Sequence, residues 1–229
     1  MTTVYFPTST SYTRLAGVLY LLIALLGFYS IGYTPTVLFV PGDAAANAQS
    51  ILTHQGLFRI TLFSDILIII IEMLLTVMLY NMFKTVNNTI ARVALYARLA
   101  MSLVMAINLI NYFIPLHLLS DVDYLKDIEQ AQSLTLLFLD AHQDGVLIWG
   151  LFFGLHLTAL GYLVYRSGYV PKVLGTLLII GSFGYTIESV AAFTLPGNIL
   201  LSYLSMGLLG FAVIGELSFA IWLMTGKRK

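Results

Sequence analysis

The chain has 229 residues, 59% of them hydrophobic and 10% charged. Soluble domains are about 45–50% apolar and about 25% charged, so a soluble globule is excluded, and so is intrinsic disorder, which needs low hydrophobicity and high charge. Lys+Arg 11 balance Asp+Glu 11, leaving no net field to attract nucleic acid, and the lack of cysteine removes disulfides, thiol catalysis and Cys-ligated metal sites.

A membrane-spanning helix needs about 20 mainly apolar residues. The first such stretch covers about 15–33. Arg14 precedes an apolar run longer than a signal-peptide core, and the small residues at 44–48 lie too far beyond it for cleavage, so a retained helix is expected. A loop with Pro35 and Pro41 follows, where Asp43 is placed to cap a short helix over 44–53. The second span covers about 57–83, and a turn at 84–92 holds Asn87-Asn88. The third covers about 93–114. The long loop 115–144 contains an apolar stretch, 134–139, that predicts an interfacial helix or a re-entrant piece. The fourth span covers about 145–165 and is followed by a turn with Gly168 and Pro171. The fifth covers about 173–194 and the sixth about 199–224. Runs such as 66–71 lack the in–out alternation of barrel strands, so the spans are helical. The expected fold is all-α: one domain of six transmembrane helices in a lipid bilayer.

Lys and Arg favour the cytoplasmic side of short loops. With the N-terminus inside, that side carries Arg14, Lys84, Arg92, Arg166, Lys172, Lys227, Arg228 and Lys229. The other side carries Lys126, with Arg59 just inside a span, and the acids Asp43, Asp121, Asp123, Asp127, Glu129 and Asp140. Both termini are therefore expected in the cytoplasm.

Ionisable residues inside a bilayer cost about 2.5–3.5 kcal/mol each even on insertion scales, and they mark partners or hydrated cavities. The second span carries Asp65 and Glu72, which fall within about 20° of each other on a helical wheel, with Thr61 and Thr76 on the same stripe. His54 joins this stripe only if the helix starts early, against Gly56. The other spans carry Arg98, His156, Glu188 and Glu216. At 1.5 Å per residue Arg98, Glu216, His156 and Glu72 lie roughly 8–17 Å from the inner helix ends and can share a layer near the midplane. Asp65 and Glu188 lie higher, with His54, His142, Asp140 and Asp144.

Three functions fit these residues. The leading one is an ion, proton or small-molecule binding or transport protein with a polar intramembrane cavity, using Glu72, His156, Glu216, Arg98, Asp65 and Glu188 as ligand or relay groups. The second is a metal-dependent intramembrane hydrolase near the outer face. Its ligands would come from His54, His142 and Asp140, a donor set that suits zinc, although no His-x-x-x-His spacing is present. The third is a structural or accessory role in which Arg98 neutralises Glu72 or Glu216 and the remaining polar groups join helices. Phosphate-binding glycine patterns are absent.

Residues 137–175, LFLDAHQDGVLIWGLFFGLHLTALGYLVYRSGYVPKVLG, resemble the signature region of an uncharacterised bacterial membrane family known as domain of unknown function 4386. The resemblance continues in 14–27 (RLAGVLYLLIALLG), 40–60 (VPGDAAANAQSILTHQGLFRI) and 215–223 (GELSFAIWL). It implies an integral protein of the bacterial cytoplasmic membrane and no assigned activity. It places His54, Asp140, His142, His156 and Glu216 within the matching motifs.

Overall fold

Lipid offers backbone N–H and C=O groups no hydrogen-bond partner, so the chain must satisfy them within each segment. A computed structural model of the protein describes residues 8–120 and 127–226, and helices account for nearly all of them. In chain order these are α1 (Thr10–Gly27), a π-helical segment (Phe28–Tyr33), α2 (Thr34–Leu38), α3 (Ala44–Thr53), α4 (Gln55–Phe83), α5 (Asn88–Asn108), α6 (Ile110–Leu118), α7 (Ile128–Arg166), α8 (Lys172–Thr194) and α9 (Ile199–Thr225). No strand occurs among the described residues. Among the described residues, six helical stretches are long and apolar enough to cross a membrane: Thr10–Leu38, Gln55–Phe83, Asn88–Leu118, Ile128–Arg166, Lys172–Thr194 and Ile199–Thr225. Lys126, Asp121 and Asp123, and the terminal Lys227, Arg228 and Lys229, lie outside the described residues.

Local signals set several boundaries. Asp43 caps α3 as expected, its Oδ1 accepting from Ala46 N at 2.9 Å. Asn87 Oδ1 accepts from Ile90 N at the start of α5. Gly168 has φ +75°, a left-handed conformation that glycine adopts without a Cβ penalty, and it turns the chain between α7 and α8. In that turn burial raises the Tyr169 phenol above its ordinary value, and its hydroxyl donates to Met82 O at 2.7 Å.

The helix that begins at Thr10 runs past Tyr33, through the π segment, to Leu38. Pro35 stands directly after the π segment, at the start of α2. The stretch 134–139 is neither an interfacial nor a re-entrant piece but lies within the 39-residue helix α7. Asp127 Oδ1 accepts from Glu129 N and Gln130 N, starting the helix early, and no proline or glycine interrupts it before Gly145. At 1.5 Å per residue α7 is about 58 Å long, well beyond a hydrocarbon core of about 30 Å.

The chain divides into two compact units. The first comprises the N-terminal part up to Ala24, Ile71–Ser102 and the chain from Leu147 onward. Its core joins Tyr20, Leu75, Met101, Leu157, Leu178 and Phe219, among other buried residues. Close helix approach matters here. A Cβ on Gly181 would stand 2.4 Å from Ala212 Cα, so glycine is what lets α8 and α9 touch backbone to backbone. The second unit comprises Leu25–Ile70 and Leu103–Val146, with a core built on Leu38, Ile51, Phe58, Leu62, Tyr112 and Leu139. Within it, Asn108 Nδ2 donates to His142 O at 2.9 Å, and the missing Cβ of Gly145 leaves room for the Asn108 side chain.

Candidate functional site

In the first unit one guanidinium organises a buried polar group. Arg98 on α5 is 1% exposed. Its Nε donates to Glu72 Oε2 on α4, a direct ion pair, and its Nη1 donates to His156 Nε2 on α7 at 2.9 Å. The guanidinium also stands over the Tyr20 ring of α1, 5.1 Å from its centroid, a cation–π contact. Tyr20 then donates its hydroxyl to Glu216 Oε1 on α9 at 2.8 Å. Residues from five helices thus form one connected network.

The donors fix the protonation of His156. Arginine has only donors, so Nε2 must accept and carries no hydrogen. The ring's Nδ1 lies 2.8 Å from Ala94 O, a carbonyl that can only accept, so Nδ1 holds the proton. His156 is therefore a neutral imidazole with both nitrogens engaged. It holds Arg98 in place, and its lone pair is not available to a metal. The ring lies nearly parallel to Phe153, 6° between planes. Backbone bonds steady the other members: Thr76 Oγ1 donates to Glu72 O at 2.6 Å and Ser102 Oγ to Arg98 O at 2.9 Å.

Acidic groups outnumber the basic one here. One guanidinium faces two carboxyl groups, and Glu72 holds it directly. Glu216 is half-buried and is linked to the network through a phenol rather than through the cation. A narrow crevice with room for about one water reaches His156, lined by Thr76, Leu79, Ala94 and Leu160 among others.

In the second unit Asp65 and His142, both buried, line a separate cavity with Ser30 and Tyr112. The His142 ring stacks on Tyr112 with centroids 3.5 Å apart and planes 9° apart. Ser30 is presented by the π-helical segment, whose wider turn displaces a side chain from its α-helical direction.

The midplane layer expected from the sequence is brought together: Glu72, Arg98, His156 and, through Tyr20, Glu216. Other candidates do not join it. Glu188 stands exposed on α8. His54 is an exposed residue closing α3, its Nδ1 donating to Ser50 O at 3.1 Å, so it is not part of the α4 stripe. The expected metal set His54, His142 and Asp140 does not form. Asp140 is exposed and His142 is buried, and among the described residues no three His, Asp or Glu side chains group closely enough to hold an ion such as zinc. The reason is rotational. Asp140 and His142 are two residues apart on a continuous helix, which points them about 200° apart. Tyr20 and Tyr112 are not among the residues expected from the sequence. A tyrosine amid aliphatic residues in a span carries a hydroxyl that needs a partner, and that was the available signal.

Long apolar helices enclosing an arginine-centred polar group define a polytopic integral membrane protein. The family model described as "Domain of unknown function (DUF4386)" matches residues 15–226, and the chain belongs to that family. An "Uncharacterized protein" of Archaeoglobus fulgidus is 44% identical over 80 residues. The alignment covers 34% of this chain and 44% of that relative, so the chain spans less than half of the relative's length. The resemblance implied a bacterial source, whereas this relative is archaeal. No solved structure matches the chain.

Proposed function

We propose that the chain is a proton-binding membrane protein of transporter type, with Glu216 as the carboxyl group that exchanges the proton. The observation that carries this reading is the count of charges around Arg98. Glu72 already neutralises the guanidinium, so a second ionised carboxylate would be uncompensated in a medium that penalises net charge. Binding one proton removes that excess. Tyr20 supplies the contact through which the gain or loss is felt by Arg98: its hydroxyl meets the carboxyl and its ring meets the cation. His156 and Glu72 act as positioning residues that hold the cation still. Among the described residues no ligand set supports a metal-dependent hydrolase.

The test uses the full chain in sealed liposomes with an internal pH-sensitive dye and an imposed potential. Dye-reported proton entry is expected for the native chain, lost in Glu216→Gln and kept in Glu188→Gln. Infrared difference spectra between acid and alkaline pH should show a carboxylic C=O band that disappears in Glu216→Gln. Proton entry and band both intact in that variant would overturn the reading.

The basic residues Arg14, Lys84, Arg92, Arg166 and Lys172 support cytoplasmic termini and residence in the cytoplasmic membrane of a prokaryotic cell. The chain has no native cysteine, so Thr85→Cys and Lys172→Cys can each be probed with an impermeant thiol reagent on whole cells without background. Both should be protected from outside.

A further inference from the structure

Charge is one-sided at the end of the first unit where α1 begins. Packing contacts bring several helix ends together there. Asn81 Nδ2 donates to the Tyr12 hydroxyl at 3.3 Å, joining the end of α4 to the start of α1. Tyr80 donates to Asn88 Oδ1 at 3.0 Å, joining α4 to the start of α5. Tyr169, in the turn from α7 to α8, stacks on Phe83 with centroids 5.9 Å apart. Gly17 lies so near the end of α9 that an added Cβ would stand 2.6 Å from Met224 Cγ. This end carries Arg14, Lys84, Arg92, Arg166 and Lys172, all exposed.

The acids of the unit lie elsewhere. Over its whole sequence they are Glu72, Glu188 and Glu216. At 1.5 Å per residue these stand roughly 13–24 Å along α4, α8 and α9 from the basic end. Among the described residues none of the five basic side chains makes an ion pair. Lys84 and Lys172 stand over the Tyr80 and Tyr165 rings, 5.7 and 5.3 Å from their centroids. Such a contact orients an ammonium group without neutralising it.

The neighbours of these cations point to the partner. Leu15, Val93 and Val173 directly follow Arg14, Arg92 and Lys172, and all three are exposed. An anion free in solution would use the charges alone. A phospholipid uses both features, its headgroup on the cation and its acyl chains on the apolar residue beside it. Tyr80 and Tyr165 are amphipathic side chains of the kind that settle at that boundary.

We infer that this end of the first unit binds anionic phospholipids of the surrounding bilayer, their phosphates on Arg14, Lys84, Arg92, Arg166 and Lys172 and their acyl chains along the apolar residues next to them. The chain therefore gathers anionic lipid around one end of its bundle. This surface does not depend on proton exchange at Glu216.

Spin-label spectroscopy of the full chain in phosphatidylcholine bilayers tests it. Spin-labelled phosphatidylglycerol is compared with spin-labelled phosphatidylcholine of the same chains, and the motionally restricted fraction gives their relative association. Phosphatidylglycerol is expected to be preferred about threefold or more, averaged over the whole lipid boundary, and sodium chloride should reduce that preference. Replacing all five basic residues with glutamine should make the two lipids equal. Arg59→Gln, which removes a cation of the second unit, should keep the preference, as should Glu216→Gln even if proton entry is abolished. Far-UV circular dichroism checks folding. If the fivefold variant does not fold, Arg166→Gln/Lys172→Gln should lower the preference about twofold and decides in its place. Equal association of the two lipids with the native chain, a folded fivefold variant that keeps the full preference, or loss of the preference in Arg59→Gln would each overturn the inference. So would inorganic phosphate abolishing the preference where chloride of equal ionic strength does not, because the surface would then be a site for a free anion.

Discussion

Replacing Arg98 with methionine removes a cation and keeps most of the side-chain volume. Three contacts vanish together. Glu72 becomes a buried acid with no counter-charge, His156 Nε2 loses its donor, and the Tyr20 ring loses the cation above it. Breaking a buried ion pair by deleting one partner costs about 3–5 kcal/mol, mostly the penalty of the charge left behind. The unpaired imidazole nitrogen adds about 1 kcal/mol. The denatured chain in detergent also finds polar partners, which places the expected loss near the lower end, about 4 kcal/mol. The double variant Glu72→Met/Arg98→Met removes the stranded charge. It should recover most of that loss, ending within about 1–2 kcal/mol of the native chain. The assay is equilibrium unfolding in mixed micelles titrated with denaturing detergent and followed by far-UV circular dichroism, run as a double-mutant cycle. A single variant costing less than about 1 kcal/mol, or a double variant as unstable as the single, would refute the claim that Arg98 is the electrostatic centre of this unit.

Three further outcomes follow from other contacts. Gly181→Val must push Ala212 away from a 2.4 Å approach and should cost about 1–3 kcal/mol, whereas Gly207→Ala meets open space and should be neutral or stabilising by up to about 1 kcal/mol; the same unfolding assay reads both. Asp43→Ala removes the cap of α3 and should cost about 0.5–2 kcal/mol, seen as faster amide exchange in the first turn of that helix. Tyr169 gives a pH signature. Its phenol is held above the ordinary value of 10.0 in the folded chain, so the unfolded chain loses the proton first. The stability it contributes is therefore present below about pH 10 and lost as pH rises above it. Tyr169→Phe should be less stable than the native chain at neutral pH by about 1 kcal/mol, and that gap should close at higher pH in parallel unfolding curves.

The sequence by itself determined the class of protein and the presence of six stretches long and apolar enough to cross a membrane. Apolar runs of sufficient length, the cap at Asp43 and the turn at Gly168 are local properties, and a local property is written in adjacent residues. It also determined that ionisable groups lie within the spans, because rise per residue fixes their depth. What only the tertiary structure decided is which of them meet. The rise per residue gives Glu72 and Glu216 similar expected depths, and nothing along the chain says that Arg98 pairs with the first while Tyr20 takes the second. Nor does spacing say that His142 stacks on Tyr112, or that His54 stands exposed at the end of α3. The physical reason is rotational freedom. Lipid constrains how long a helix is and how deep a residue sits, but it is nearly indifferent to the rotation of a helix about its axis. That rotation is set by packing between residues far apart in sequence, as where Gly181 admits Ala212, and no single span records it.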